Sequence, residues 1–144
     1  MALKDYKSEC ELHQKIIKCR DKGNSQEYIA NNNDKNEVYK YQIDGYVIEN
    51  GKRCDYLLWN EDKKDVYFIE LKGSDLTKAI EQMEETERIL KERYKGLFKS
   101  VNLYYRVVLN RTRTHKLNGN KVKHFMVAHN GRYKFGTRTI EENI

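Results

Sequence analysis

Residues 65–76 read DVYFIELKGSDL, a run of β-branched and aromatic residues that Gly73 and Ser74 close. Glu70 and Lys72 stand two residues apart at its end, and so share one face of a pleated strand. A preceding run, RCDYLLW, carries Asp55 near its start. Pairing of 53–59 with 65–72 as a hairpin would set Asp55 across from Glu70, so that two carboxylates and an ammonium converge at one rim of a sheet. Carboxylates that close repel unless a cation joins them, and hard oxygen ligands suit Mg²⁺, with Mn²⁺ as a substitute. A lysine beside them would orient or deprotonate a water, while the cation stabilises charge developing on a phosphate. The chemistry to expect is metal-assisted hydrolysis of a phosphodiester.

Glu-x-Lys has no weight alone, since Glu61 and Lys63 repeat it in a turn. Its weight comes from the elements that would position it. Residues 4–22 read as a helix, with Leu12, Ile16 and Cys19 at three- and four-residue spacing and Gly23 as the stop. An Asn-rich connection follows, and then three strands near 37–49, 53–59 and 65–72, joined by the Asn-Gly turn ENGK and the charged NEDKKD. A second helix is expected over about 75–94, capped by Ser74, with Leu76, Ala79, Ile80, Met83 and Leu90 as its buried stripe. VNLYYRVVLN and KHFMVAH read as two further strands, joined by the basic loop NRTRTHKLNGNK. The fold class is α/β: an αβββαβ core over about 5–110 with a mixed sheet flanked by helices. A basic strand or hairpin extension over about 111–144 completes a single domain.

Composition sets limits. A chain of 144 residues with 11% aromatics has the bulk for a core without staples. The first ten residues are charged from the fourth onward and lack an apolar h-region, and no apolar run approaches a membrane span. The three cysteines, Cys10, Cys19 and Cys54, form no CxxC and no even-numbered framework; reduced thiols in a cytoplasmic protein are expected. The net charge of +6 is unevenly spread. Residues 1–92 hold 16 basic and 20 acidic side chains, whereas 93–144 hold 12 basic and two acidic ones. A basic half on an otherwise mildly acidic chain points to a polyanionic partner. Arg111, Arg113, His115 and Lys116 form its densest cluster, with Lys121 and Lys123 next to it, along a path suited to a nucleic-acid backbone.

Asp55 followed by Glu70-Leu71-Lys72, in an αβββαβ order, resembles the PD-(D/E)xK nuclease superfamily, the restriction-endonuclease-like fold that includes Holliday-junction resolvases. The resemblance covers roughly residues 5–110. It implies that Asp55 and Glu70 bind the metal, that the Leu71 carbonyl completes the shell, and that Lys72 acts on the attacking water. The proline of the motif name is Cys54 here, a position with no chemical part in catalysis. Many members carry a glutamate on the first helix that faces the metal. Glu9, three and seven residues before Leu12 and Ile16, matches that role better than Glu11 on the wet face. A helix glutamine near the site corresponds to Gln82, as a further catalytic-site residue.

Other constellations fail. His13, His115, His124 and His129 have no zinc-like spacing with the cysteines, and no Walker A, G-x-S-x-G or G-x-G-x-x-G is present. Asp44 before Gly45 reads as a bend. The expected protein is an Mg²⁺-dependent endonuclease acting on nucleic acid, with DNA as the expected substrate. A symmetric dimer would place two rims on opposite strands of a duplex. A ribonuclease of the same fold and a nucleic-acid-binding protein with lapsed chemistry are the alternative classes.

Overall fold

The computed structural model describes residues 2–71, 75–110 and 119–144. The apolar runs that bracket the NEDKKD turn become β4 (Tyr56–Asn60) and β5 (Asp65–Glu70), both buried along almost their whole length. Strands covered on both faces read as continuous apolar runs rather than as alternation. They pair antiparallel, Tyr56 opposite Ile69 and Asn60 opposite Asp65. Before them, β3 (Val38–Gln42) pairs antiparallel with β4. After them come α1 (Leu76–Arg93) and β6 (Asn102–Leu109), then α2 (Asn120–Ala128) and β7 (Tyr133–Thr137). The five-stranded sheet has the order β3-β4-β5-β6-β7, with β6 parallel to β5 and β7 parallel to β6. Parallel neighbours need a crossover, and α1 and α2 supply them.

Both helices lie on one face of this sheet. Leu76, Ala79, Ile80, Met83 and Leu90 of α1 and Val122 and Phe125 of α2 share a core with Leu57, Trp59, Val66 and Phe68. The opposite face is covered by a second sheet of β1 (Ile16–Arg20), β2 (Glu27–Asn31) and β8 (Thr139–Asn143). Ile17, Cys19, Tyr28, Ala30 and Ile140 pack there on Tyr56, Leu58, Tyr67 and Ile69. The sheet expected to be flanked by helices has them on one face only: the layers are helices, large sheet, small sheet. Polar contacts cross the second interface as well, among them a clasp on Glu142. Arg106 Nε donates to Glu142 Oε2 at 2.6 Å, the Tyr28 hydroxyl donates to the same oxygen at 2.6 Å, and the guanidinium lies 5.5 Å from the Tyr67 ring centre.

Three more expectations change. Residues 4–22 form no helix: turns lead into β1, in which Ile17 and Cys19 are buried and Ile16, Lys18 and Arg20 exposed. That is a period of two, which the helical spacing of Leu12, Ile16 and Cys19 obscured; Leu12 is 42% and Ile16 49% exposed. KHFMVAH lies within and just beyond α2, not in a strand, because Val122 and Phe125, three residues apart, are the positions that meet the core. The C-terminal region is not an appended hairpin. β7 is an edge of the large sheet, and after a left-handed turn at Arg138 (φ 64°) β8 joins β2 in parallel. The α1 expectation holds to within a residue at each end, but the cap is Asp75 where Ser74 was expected: the Asp75 carboxylate accepts from the Lys78 amide at 3.2 Å. No helix among the described residues is long and apolar enough to cross a membrane.

Candidate functional site

The β4–β5 hairpin brings Asp55 and Glu70 together. Just before β4, Asp55 grips the chain on both sides of Glu70. The Asp55 amide donates to the Ile69 carbonyl at 3.1 Å, and its Oδ2 accepts from the Leu71 amide at 2.8 Å. The Asp55 carbonyl in turn accepts from the Ile43 amide at 2.9 Å, which ties the end of β3 to the same place. Strand alternation directs Glu70, like Val66 and Phe68, to the helix-facing side. Both acids are inside the protein, with Asp55 2% and Glu70 0% exposed.

Cys54 reports on the electrostatics. Burial pushes its thiol well above the ordinary value, and the neighbouring Glu70 charge raises it further, with Asp55 adding to this. Both carboxylates therefore act on one buried sulfur, where the motif name has proline. The Cys54 amide donates to Thr86 Oγ1 at 2.8 Å, and Thr86 donates to the Gln82 carbonyl at 2.8 Å. This chain of bonds docks α1 against the start of β4 and holds the segment that carries Asp55.

The remaining expected site residues divide into three groups. The Leu71 amide holds Asp55, and its carbonyl, expected to face a metal, accepts from Asn24 Nδ2 at 3.3 Å. Gln82 is half-buried on α1, one turn before Thr86. Lys72 lies outside the described residues, as do Arg111, Arg113, His115 and Lys116. Glu9 is not on a helix and does not join the acid pair. It is exposed and ion-paired with Lys40 at 3.6 Å, and Lys40 reaches the Lys18 carbonyl of β1. That contact lies on the small-sheet side, opposite the face to which Glu70 points. Asp44 is taken up by Arg53 at 2.6 Å. Lys121 pairs with Glu84 of α1 at 3.3 Å, and Lys123 is exposed on α2.

Two contributors had no foreseen part. Thr86 lay on the same stripe as Met83 and Leu90, so its burial was readable from helical spacing, although its bond to Cys54 was not. Asn24 sits in the Asn-rich connection and becomes a neighbour of Leu71 only through the second sheet. Among the described residues no group of three His, Cys, Asp or Glu side chains could hold a metal ion. The donor set nonetheless suits Mg²⁺, which is commonly held by one or two carboxylates together with waters and substrate phosphates. No protein-family model, curated protein or solved structure matches this chain.

Proposed function

We propose that the protein is a metal-dependent nuclease that hydrolyses phosphodiester bonds of nucleic acid, DNA in the first instance, and that its core is of the restriction-endonuclease-like type. The observation that carries this reading is the burial of Asp55 and Glu70 at the end of the β4–β5 hairpin before α1, with Asp55 bonded to the residues on either side of Glu70. The elements β3 to β6 follow the expected βββαβ order, although β1 stands within the span expected as the first helix and β2 in the Asn-rich connection after it.

In this reading Asp55 and Glu70 hold Mg²⁺, or Mn²⁺ in its place, with the Leu71 carbonyl as a further oxygen donor. When bound, the cation supplies charge stabilisation at the scissile phosphate. The chain's own residues prepare for it. The Leu71 amide fixes one Asp55 oxygen and leaves Oδ1 outside that bond. Thr86 anchors the Cys54 amide beside it. Lys72, two residues after Glu70, is assigned the proton of the attacking water. Arg111, Arg113, Lys116 and Lys123 are assigned the phosphate backbone.

The test is incubation with labelled duplex, single-stranded, branched and RNA substrates, with Mg²⁺, Mn²⁺ or EDTA. Cleavage is expected with metal and is lost in Asp55→Asn and Glu70→Gln, while Lys72→Ala slows it by about 10²-fold or more. Cleavage that survives both EDTA and the Lys72 change refutes the mechanism. A second reading, a nucleic-acid-binding protein with lapsed chemistry, is favoured by one observation: Glu70 is fully buried and Asp55 nearly so, which leaves little surface for a substrate phosphate. Binding without cleavage of any of the four substrates would select it.

A further inference from the structure

We propose that the cavity beyond the C-terminal end of α1 binds a nucleoside monophosphate unit, with Lys95 and Lys99 on its phosphate. The cavity measures about 590 Å³ and is lined by Lys91, Tyr94, Lys95, Gly96, Phe98 and Lys99, a volume within the range of small-molecule sites. Its lining combines two aromatic side chains with three cations and no carboxylate. Phe98 is nearly buried and packs edge-on against Trp59 at 5.5 Å. The Tyr94 hydroxyl donates to Asp5 at 3.2 Å, so what Tyr94 offers a ligand is its ring.

Helix-end chemistry explains only part of the positive charge. Cations near a helix C-terminus are favoured by the macrodipole, and Lys91 and Arg93 lie in the last turn of α1. Lys91 pairs with Glu87 at 2.7 Å, and Arg93 Nη1 donates to the Val47 carbonyl at 2.7 Å and to the Tyr6 hydroxyl at 2.9 Å. Lys95 and Lys99 come after the helix, in turns closed by the Leu97 and Lys99 amides, and both are exposed. Neither forms an ion pair with a described residue. Gly96 between them has a φ of 88°, a conformation that favours glycine and leaves no side chain in the gap.

Lysine presents a compact point charge suited to phosphate rather than to the forked recognition of a carboxylate. The ring-lined wall adds apolar surface for a base, which inorganic phosphate could not use. Cys54, next to Asp55, is bonded to Thr86, eight residues before Tyr94, so the cavity lies about 12 Å farther along the axis of α1 than that anchor. The inference does not rest on the hydrolytic reading.

The test is calorimetric titration of the full chain in EDTA with adenosine monophosphate, adenosine and inorganic phosphate. Fluorescence of Trp59, the chain's single tryptophan, serves as a local reporter. Adenosine monophosphate should bind, with adenosine and phosphate each weaker by about ten-fold or more. Lys95→Gln with Lys99→Gln should weaken it by about ten-fold without changing the melting temperature, since both side chains are exposed. A 5′-phosphorylated tetranucleotide that binds more tightly than the mononucleotide identifies the end of a strand as the ligand; equal affinity identifies the free nucleotide. Three results would each overturn the proposal: no binding at millimolar mononucleotide, binding indifferent to the double substitution, or phosphate binding as tightly as the nucleotide. EDTA keeps any such failure separate from a failure of the carboxylate pair to hold a metal.

Discussion

Asp55→Asn and Asp55→Ala separate the charge of this carboxylate from its hold on the backbone. Asp55 Oδ2 accepts from the Leu71 amide at 2.8 Å in a site where Asp55 is 2% exposed and Leu71 buried. Alanine removes the acceptor and leaves a buried N–H without its partner, a loss of about 1–3 kcal/mol. At roughly 3–5 °C per kcal/mol for a chain of this size, the melting temperature should fall by about 3–15 °C. Asparagine keeps an oxygen in place, forfeits about 1 kcal/mol of charge assistance and removes the repulsion from Glu70. In EDTA it should therefore melt within about 5 °C of the parent or above it. Mg²⁺ separates the two roles further. At ten times its dissociation constant a cation bound only to the folded state adds about 1.4 kcal/mol, or about 4–7 °C, to the parent protein, and this increment should vanish in both variants. The assay is a set of thermal melts followed by circular dichroism, with EDTA or Mg²⁺. If Asp55→Asn fell as far as Asp55→Ala in EDTA, the charge would be structural. If the parent showed no Mg²⁺ increment, the carboxylate pair would not be a cation site.

Three further outcomes are expected. Thr86→Val leaves the buried Cys54 amide without its acceptor, so it should cost about 1–3 kcal/mol in urea titrations while Thr86→Ser costs less; equal stability of the valine variant and the parent would show that this bond does not hold β4 to α1. Glu142→Leu strands Arg106 between the two sheets and removes the acceptor of Tyr28, so the unfolding free energy from urea titration should drop by about 3 kcal/mol, with part of the loss recovered when Arg106→Met is added. His129 packs 4.3 Å from the Tyr105 ring, and burial lowers its pKa from the ordinary 6.5 despite the raising influence of Glu87 and Glu84. The folded state then prefers the neutral ring, so the stability His129 contributes is present above about 6.5 and is lost as pH falls through the depressed value. Cooling-corrected melts at about pH 7.5 and about pH 5 should show a larger acid loss in the parent than in His129→Phe, and equal losses would contradict it.

The elements legible in the sequence are those whose burial follows from consecutive residues. β4 and β5 announce themselves as unbroken apolar runs on either side of a charged turn, and their pairing follows from the short connection. The stripe of α1 is readable because Leu76, Ala79, Ile80, Met83 and Leu90 keep helical spacing against one broad surface. From these alone, Asp55 could be set beside the end of β5. Only the tertiary structure decided the rest, because the deciding partners are distant in the chain. The segment Ile16–Arg20 carries enough apolar residues for either period, and it is a strand because β2 pairs with it and the large sheet buries Ile17 and Cys19. Asn120–Ala128 contains strand-forming residues yet coils because it must cross from β6 to a parallel β7. Glu9 illustrates the same dependence: an inward face was assigned to it on a helix, and without that helix it meets Lys40 on the far side of the sheet. The depth at which Glu70 sits, and the Asn24 amide that reaches Leu71 from 47 residues away, arise from the packing of two sheets, which no local pattern encodes.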